Sequence, residues 1–313
     1  MVTRLGLGTA PLAGLYHAVD EADALRAIQG SWDAGIRFFD TAPLYGHGLG
    51  EQRLGKALAG KPRDELTLAT KVGRLLRADA PPEPGQSFHG VPPVNPVFDF
   101  SYDGVMRSVE ESRHRLGIER LDILHIHDPD NHYEQAIAGA YRALDRLRSD
   151  GVIGAVGAGM NQAEMLTRFA REGDFDCFLL AGRYTLLDQV ALQELLPTCL
   201  DRGVAIIAAG VLNSGILAEP KPGARYNYRP ARPTLIERAQ RIQTVCERHG
   251  VPLRAASVQF PLGHPAVYTV VVGCRSAEQV EDTVRMFETP IPSSMWDELK
   301  AERLIPDDAP TPS

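Results

Sequence analysis

"RFFDTAPLYGHGLGEQRLGKALAGKPRDELTLATKV", residues 37–72, contains an apolar run, a segment with helical spacing and a second apolar run. The runs RFFDTA (37–42) and LTLATKV (66–72) are short and rich in β-branched and aromatic residues, and residues 50–60 between them have the apolar period of a helix. Strands buried on both faces need nearly continuous apolar runs, and a helix between two strands joins them in parallel. The stretch therefore predicts one strand–helix–strand unit of a parallel sheet.

The same unit recurs along the whole chain. Strands are predicted at 4–10, 37–42, 66–72, 121–128, 153–159, 177–182, 204–210 and 268–274, and helices at 20–34, 50–60, 102–117, 132–150, 162–173, 188–202, 232–250 and 276–288, with an extra helix at 293–303. Eight units over about 290 residues favour an α/β fold of the (β/α)₈ TIM-barrel type over an open doubly wound sheet. A Rossmann fold would require GxGxxG after the first strand, and GLGTAPLAG lacks it. We expect residues 1–313 to form a single barrel domain.

Two long insertions interrupt the repeat. Residues 74–100 follow strand three and residues 212–233 follow strand seven, and both are rich in Pro and Gly. Loops after barrel strands carry the active site in TIM barrels, so we expect these insertions to form its walls or lids. Disordered insertions are the alternative, but aromatic residues such as Phe88, Phe98 and Tyr226 favour packed loops.

Composition excludes several classes of partner. The net charge of -7 comes without a basic run, so nucleic acid and anionic membranes are not expected partners. The four cysteines are far apart and form no CxxC, which argues against a zinc ribbon and a disulfide framework and favours the reduced cytoplasm. No window reaches about 18 uninterrupted apolar residues, so membrane insertion is not expected. The composition is therefore compatible with a small-molecule substrate as the partner.

Polar residues close several of the predicted strands. Asp40 ends strand two, Tyr45 lies in the following loop, Lys71 ends strand three, and His125 and His127 end strand four. An unpaired buried charge costs several kcal/mol, so Asp40 and Lys71 are expected to pair. An ammonium beside a phenol stabilises the phenolate and lowers its pKa from about 10, as a proton-transferring tyrosine needs. A purely structural ion pair is the alternative.

Three of these segments resemble one family. FFDTAPLYGHGLGEQRLGKAL (38–58) resembles the DTAxxYGxGxxExxLGxxL segment of the aldo-keto reductases, LATKVG (68–73) is similar to their lysine strand, and LDILHIHD (121–128) to their DLxxIH strand. The resemblance extends from Gly6 to about Phe287. It implies a barrel oxidoreductase that binds a nicotinamide cofactor without a Rossmann fold.

The resemblance also implies a catalytic tetrad, which comprises Asp40, Tyr45, Lys71 and His127. His125 lies two residues before His127 and points to the same side of the strand. We expect His125 to be a packed, hydrogen-bonded core residue without a direct role. No metal ligand is assigned to the tetrad.

The expected cofactor contacts come from the same resemblance. VVGCRSAEQVEDTV (271–284) resembles the family's phosphate and adenosine segment, in which a helix N-terminus receives an anion. The positions carried over there are Gly273, Cys274, Arg275, Ser276, Gln279 and Asp282. LNSGIL (212–217) is similar to a backbone cradle for the pyrophosphate, which adds Leu212, Asn213, Ser214 and Gly215. The family's usual SN, Gln and aromatic positions read GAGMN (157–161), Ala181 and Ala209 here. The carboxamide contact is therefore expected from Asn161 or from residues near Met160, and the stacking partner of the nicotinamide stays open.

The choice of dinucleotide follows from charge. NADP-specific members of the family bind the 2′-phosphate with basic residues at positions that are Gly273 and Gln279 in this sequence. Arg275 is the remaining cation, and one guanidinium could either stack on adenine or pair with a phosphate. We therefore expect NAD, with NADP as the alternative.

Within the family, four short segments are most similar to the bacterial sugar and pyridoxal dehydrogenases. They are GLGTAPL (6–12), TKVGRLL (70–76), HDPD (127–130) and YNY (226–228). This similarity implies that Tyr45 acts as general base while a cyclic hemiacetal, from an aldose such as L-fucose or a D-threo-aldose or from pyridoxal, becomes its lactone. Oligomeric state stays open.

Two other functions remain open at this point. The HxH of His125 and His127 could hold zinc in a metal-dependent hydrolase, although strands five to eight end in Gly, Ala and Cys and supply no further ligands. A non-catalytic redox-sensing subunit on the same fold is the other alternative, against which the intact tetrad argues.

Overall fold

The computed structural model describes residues 2–82, 85 and 87–312, and within them the predicted barrel is confirmed. The strands in chain order are β1 (Leu5–Gly8), β2 (Phe38–Asp40), β3 (Thr67–Val72), β4 (Arg74–Arg77), β5 (Asn95–Phe98), β6 (Leu121–His127), β7 (Ile153–Met160), β8 (Cys177–Ala181), β9 (Ala205–Ala209), β10 (Arg225–Tyr226), β11 (Arg229–Pro230) and β12 (Val267–Gly273). Eight of them form a closed barrel in the order β1-β12-β9-β8-β7-β6-β3-β2. This is the (β/α)₈ TIM-barrel arrangement.

Helices connect the barrel strands at the predicted places, except that the helix predicted at 188–202 begins only at Leu195, after a 3₁₀ turn at Val190–Leu192. They are α1 (Glu21–Asp33), α2 (Leu49–Leu58), α3 (Tyr102–Leu116), α4 (Tyr133–Gln135), α5 (Arg142–Ser149), α6 (Ala163–Glu172), α7 (Leu195–Arg202), α8 (Pro233–Arg248), α9 (Leu253–Gln259), α10 (Ala277–Glu288) and α11 (Ser293–Ala301). A π-helical segment, Ala136–Tyr141, joins α4 to α5, so the helix predicted at 132–150 is continuous but not uniform. The short helix α9 was not predicted from the sequence.

Helix α3 shows how local sequence sets these boundaries. The Ser101 hydroxyl accepts a hydrogen bond from the Gly104 N–H at 3.1 Å and so caps the N-terminus. Val105 and Val109 are buried on the face towards the core. Gly117 adopts a left-handed φ of 63° and ends the helix, as a residue without Cβ does at low cost.

Helix α2 is held against its neighbours by one buried carboxylate and one glycine. Glu51 is fully buried, accepts from the Thr70 hydroxyl at 2.7 Å and pairs with Arg115 Nε at 2.6 Å. A Cβ on Gly55 would lie 1.9 Å from the carbonyl oxygen of Leu116, so only glycine permits this approach of α2 to the end of α3. These contacts fix the loop between β2 and α2, where the candidate site lies.

The packing of the chain separates two compact units. The first comprises the described residues up to Met160 together with Glu172–Phe178 and Gly273–Glu281, and it holds β1 to β7. The second comprises Asn161–Arg171, Leu179–Val272 and the described residues from Asp282 onward. That the whole chain acts as a single domain stays a prediction.

Each insertion forms a small antiparallel sheet. After β3, strands β4 and β5 pair, and after β9, strands β10 and β11 pair. Phe88, in the first insertion, forms a β-bridge with Leu15, while Glu83, Pro84 and Gln86 lie outside the described residues. For the parts described, both insertions are packed loops, and the alternative of disordered insertions is wrong. None of the helices among the described residues has the length and apolar character needed to cross a membrane.

Candidate active site

The ends of β2 and β3 bring the predicted ion pair together. Lys71 Nζ donates to Asp40 Oδ1 at 2.7 Å, to Asp40 Oδ2 at 2.8 Å and to the carbonyl oxygen of Thr41 at 2.8 Å. The two side chains are 1% and 4% exposed. An ammonium has three N–H donors, so these three acceptors use all of them. Burial raises the pKa of Asp40, and the charge of Lys71 opposes that rise.

Tyr45 lies beside this pair, in the loop between β2 and α2. Lys71 Nζ is 4.7 Å from the centroid of the Tyr45 ring, within the range of a cation–π contact. The Tyr45 and His127 rings are 5.7 Å apart at the centroids and nearly perpendicular, with an interplanar angle of 86°. The structure therefore brings together all four residues of the predicted tetrad, which we call the strand-end cluster (Asp40, Tyr45, Lys71 and His127).

His127 is a neutral member of the strand-end cluster. It is 6% exposed, and burial, followed by the charges of Lys71 and Arg74 and by His125, lowers its pKa well below the usual value. Its Nε2 lies 3.6 Å from Asp128 Oδ2, and since the ring is neutral this contact is a polar approach rather than an ion pair. At neutral pH the imidazole can both donate and accept a hydrogen bond.

His125 differs from the sequence expectation in one respect. It is completely buried, as predicted, but neither ring nitrogen has a hydrogen-bond partner among the described residues. The prediction of a hydrogen-bonded core histidine was therefore wrong. A Cβ on Gly157 would lie 2.3 Å from His125 Nδ1, so the imidazole fills the space that this glycine leaves in the barrel. Burial and the Lys71 charge lower the pKa of His125 to about 3.

Three residues outside the predicted tetrad lie beside the cluster, namely Phe88, Arg74 and Asp128, and the sequence pointed only to Phe88, through its insertion. Phe88, from the first insertion, has its ring centroid 6.2 Å from that of Tyr45. Arg74, the first residue of β4, lies with its Cζ 4.3 Å from the Phe98 ring centroid and its Nη2 3.9 Å from Asp128 Oδ2. Arg74 lies in the TKVGRLL segment and Asp128 in the HDPD segment. Their opposite charges were the signal from which the sequence could have predicted that the two side chains pair.

The loop from Gly273 to Gln279 leads from β12 into α10. A Cβ on Gly273 would lie 2.6 Å from Pro11 Cγ, which explains a small residue there. The Arg275 N–H donates to Gln279 Oε1 at 2.8 Å, and the Ser276 hydroxyl accepts from the Gln279 N–H at 3.4 Å, so side chains cap this helix start. Cys274 is buried, whereas Arg275 and Gln279 are exposed.

Leu212 to Gly215 forms a tight turn after β9. Asn213, Ser214 and Gly215 have successive positive φ angles of 45°, 58° and 102°. Asn213 is buried, its Nδ2 donates to the carbonyl oxygen of Gly182 at 3.3 Å, and its Oδ1 has no partner among the described residues. The Ser214 hydroxyl accepts from the Tyr228 N–H at 3.1 Å, which ties the turn to the second insertion.

Two further predicted residues have different surroundings. Asp282 on α10 pairs with both Arg254 and Arg285, so its carboxylate is already engaged by two guanidinium groups. Asn161 follows β7 directly and is partly buried. The Asp282 pairing adds two cations that the sequence reading did not consider.

Comparison with known proteins identifies the family. The sequence matches the model described as "Aldo/keto reductase family" over residues 4–303. The chain belongs to the aldo/keto reductase family. It is 44% identical to pyridoxal 4-dehydrogenase of Microbacterium luteolum and 42% identical to D-threo-aldose 1-dehydrogenase of Pseudomonas sp, each match covering 97% of this chain and 95% of the relative. An aldo-keto reductase of Bacillus halodurans in its holo form superposes with a TM-score of 0.75 at 26% identity, covering 97% of this chain and 92% of that one.

This aldo-keto reductase is therefore an NAD(P)-dependent oxidoreductase. Its 212–215 turn fits such a cofactor, because backbone N–H groups in a turn of this kind form concave anion-binding sites. Gly215 has φ of 102° and no atom within 4 Å of an added Cβ, so the turn leaves open space beside its backbone. The start of α10 is a second anion-binding element of suitable chemistry.

Membership of the family decides between the functions left open by the sequence. The family is one of oxidoreductases, so the oxidoreductase is supported over the metal-dependent hydrolase and the non-catalytic subunit. In the part of the chain that the structure describes, no group of three or more His, Cys, Asp or Glu side chains is arranged to hold a metal ion.

Proposed function

We propose that this aldo-keto reductase oxidises a cyclic hemiacetal to its lactone, with Tyr45 as general base and NAD as the preferred cofactor. The observation that carries the proposal is that the Tyr45 ring has both a buried ammonium, 4.7 Å away, and a neutral imidazole, 5.7 Å away, beside it. A phenol in these surroundings can give up its proton more readily, because a nearby cation stabilises the phenolate. Tyr45 then accepts the proton of the hemiacetal hydroxyl.

Lys71 acts through its charge in this scheme. All three of its N–H donors are used by Asp40 and Thr41, so the lysine stabilises the phenolate through space and over the ring face. Asp40 keeps the ammonium in place and offsets the cost of burying it. The ion pair thus holds a fixed positive charge beside the group that takes the proton.

His127 orients the substrate oxygen. Its burial and the neighbouring cations lower its pKa and keep the ring neutral, so it can bind the hemiacetal oxygen without competing for the proton. The T-shaped contact with Tyr45 sets the direction of both rings. Together, Tyr45 and His127 hold the hydroxyl whose carbon is oxidised.

The nicotinamide, when bound, accepts the hydride from the hemiacetal carbon. In this proposal Leu212, Asn213, Ser214 and Gly215 hold the pyrophosphate. Gly273, Cys274, Arg275, Ser276, Gln279 and Asp282 lie along the adenosine, and Asn161 contacts the carboxamide.

Charge at the start of α10 supports the NAD preference. Glu278 lies in the first turn of α10, where its hydrogen bond with Ser276 and its own N–H lower its pKa. A carboxylate at this helix start adds negative charge where an additional phosphate would be received. Gln279 is neutral and its amide oxygen is already used by the Arg275 N–H.

The names of the relatives support oxidation of a hemiacetal. A pyridoxal 4-dehydrogenase and a D-threo-aldose 1-dehydrogenase are 44% and 42% identical to this chain, and an L-galactose dehydrogenase of Arabidopsis thaliana is 31% identical over 90% of it. Pyridoxal and aldoses both form cyclic hemiacetals. This shared chemistry defines the substrate class that we propose.

A substrate screen tests the proposal. Purified protein is incubated with aldoses and pyridoxal in the presence of NAD⁺ or NADP⁺, NADH or NADPH formation is followed by absorbance, and the lactone is identified by NMR. The methyl glycoside of each active sugar is the matched control, because it cannot open or lose a proton at the anomeric oxygen. We expect turnover of the free sugar and none of the glycoside. Equal oxidation of both, or no lactone from any hemiacetal, would reject the proposal.

A further inference from the structure

Two charged side chains outside the tetrad converge beside His127. Asp128 Oδ2 lies 3.6 Å from His127 Nε2 and 3.9 Å from Arg74 Nη2. The Asp128 side chain is 34% exposed and that of Arg74 is 11% exposed. The carboxylate therefore lies beside His127 and is partly open to solvent, while the guanidinium next to it is mostly buried.

The backbone holds Asp128 in place at a cost. Its φ of 43° is left-handed, which is uncommon for a residue with a Cβ and strains the backbone. The Asp128 N–H donates to the carbonyl oxygen of Gly159 at 3.0 Å, and Pro129 follows immediately. Backbone strain that the surroundings maintain is concentrated at functional sites, and here it keeps the carboxylate next to a catalytic ring.

Arg74 is oriented by a different contact. Its guanidinium lies over the face of Phe98, with Cζ 4.3 Å from the ring centroid, and Phe98 is the last residue of β5, the strand that pairs with β4. The hairpin of the first insertion thus fixes the planar fork of donors opposite Asp128. A guanidinium held in this way has little conformational freedom left to lose when it binds a hydroxyl oxygen.

We propose that Asp128 and Arg74 form a hydroxyl-binding pair for aldose substrates, which binds the hydroxyl on the carbon next to the hemiacetal carbon. The inference rests on the proposed function and adds the substrate class to it. The carboxylate accepts a hydrogen bond from the hydroxyl, and the guanidinium donates a hydrogen bond to the same oxygen. His127 holds the neighbouring hemiacetal oxygen, and Asp128 Oδ2, 3.6 Å from His127 Nε2, is close enough to bind the hydroxyl next to it. Pyridoxal has no hydroxyl on the carbon next to its aldehyde carbon and lacks this contact.

The discriminating experiment uses a pair of substrates. The aldose with the highest kcat/KM in the screen is compared with its 2-deoxy analogue, for the wild type and for Asp128→Asn and Arg74→Gln. Arg77→Gln is the matched control, since Arg77 is on the same strand, pairs with Glu111 at 3.0 Å and lies outside the proposed pair. Circular dichroism and NAD⁺ binding verify that each variant folds.

We expect the wild type to prefer the aldose over its 2-deoxy analogue by at least about tenfold in kcat/KM, since a hydrogen bond to a charged group contributes that much or more. Asp128→Asn and Arg74→Gln should reduce this preference to below about threefold, mainly by raising the KM for the aldose, while the 2-deoxy analogue changes little. Arg77→Gln should leave the preference unchanged.

Three results would overturn the inference. A wild type without preference between the two substrates excludes hydroxyl recognition. Equal losses on both substrates in Asp128→Asn and Arg74→Gln would show that the pair only supports His127. A wild type that oxidises no hemiacetal would reject the proposed function, and the pair proposal with it. If the wild type does oxidise the aldose, the first two results reject the pair proposal alone.

Discussion

The strand-end cluster and the proposed cofactor segments, residues 212–215 and 273–279, are built from different chemistry. The cluster consists of side chains, with a buried ion pair whose partners are 1% and 4% exposed and two aromatic rings in fixed contact. The cofactor segments consist mainly of backbone, with three successive positive φ angles in one and a capped helix start in the other.

This difference determines how sensitive each region is to substitution. A buried charge tolerates no loss of its partner, because the remaining ion is then uncompensated in a medium of low polarity. Most side-chain substitutions leave the backbone N–H groups in place. A substitution in the cofactor segments should therefore weaken cofactor binding by less. The following predictions test that contrast, from the largest expected effect to the smallest.

Tyr45→Phe should abolish most of the turnover while cofactor binding is retained. The substitution removes the proton acceptor and keeps the ring, so kcat should fall by about 10²–10⁴-fold. NAD⁺ affinity, measured by calorimetry, should change less than about threefold. Tyr102→Phe, at an exposed tyrosine on α3, is the control. A loss of kcat under about tenfold would remove Tyr45 from the role of general base.

Asp40→Ala should lower the free energy of unfolding by about 3–5 kcal/mol, because Lys71 is left buried without its counter-ion. Adding Lys71→Met should recover part of that loss, since the double variant no longer buries a charge. Urea unfolding of the wild type, both single variants and the double variant forms a complete cycle. Additive losses would show that the two residues do not stabilise the fold as a pair.

Cofactor preference should change in smaller steps. We expect kcat/KM with NAD to exceed kcat/KM with NADP, or to lie within about tenfold of it. The reason is that Gly273 and Gln279 cannot make charge-assisted contacts with the 2′-phosphate. Glu278→Gln should improve kcat/KM for NADP by a few-fold and leave NAD nearly unchanged. An NADP preference above about a hundredfold that collapses in Arg275→Ala would instead make Arg275 the anchor of the phosphate.

Acid stability should depend measurably on His125. Its pKa is lowered to about 3 in the fold, against about 6.5 in an unfolded chain, so between these values the unfolded state binds a proton that the folded state does not. This contribution to stability is complete above about pH 6.5 and is lost as the pH falls, by up to about 1.4 kcal/mol per pH unit. His125→Leu should make the unfolding free energy less dependent on pH between 6.5 and 4.5.

His89→Leu, at an exposed position, is the matched control for this measurement. The unfolding free energy is determined by urea titration at several pH values for both variants and the wild type. An unchanged slope in His125→Leu would contradict the assignment of a neutral, buried imidazole at residue 125.

The fold and the strand-end cluster were accessible from sequence because both depend on local rules. Continuous apolar runs alternate with helical periods, and this alternation predicts a parallel barrel. Asp40 and Lys71 end such runs, and a buried charge needs a partner. The absence of hydrogen bonds to His125 was not accessible, because it depends on which strands face it: Gly157 leaves room for the ring without supplying a donor or an acceptor.

The sequence by itself thus determined the barrel, the family resemblance and the four residues of the strand-end cluster, because each is recorded in residue type and spacing. The tertiary structure alone decided that Arg74 and Asp128 approach each other, that Phe98 orients the guanidinium, and that Asp282 is paired with Arg254 and Arg285. Apart from Asp282–Arg285, which lie three positions apart on α10, these contacts join residues that are 24 to 54 positions apart along the chain. The place of Asp128 also depends on its left-handed φ. Local periodicity predicts neither which distant residues a loop brings together nor the direction of a side chain on a strained backbone.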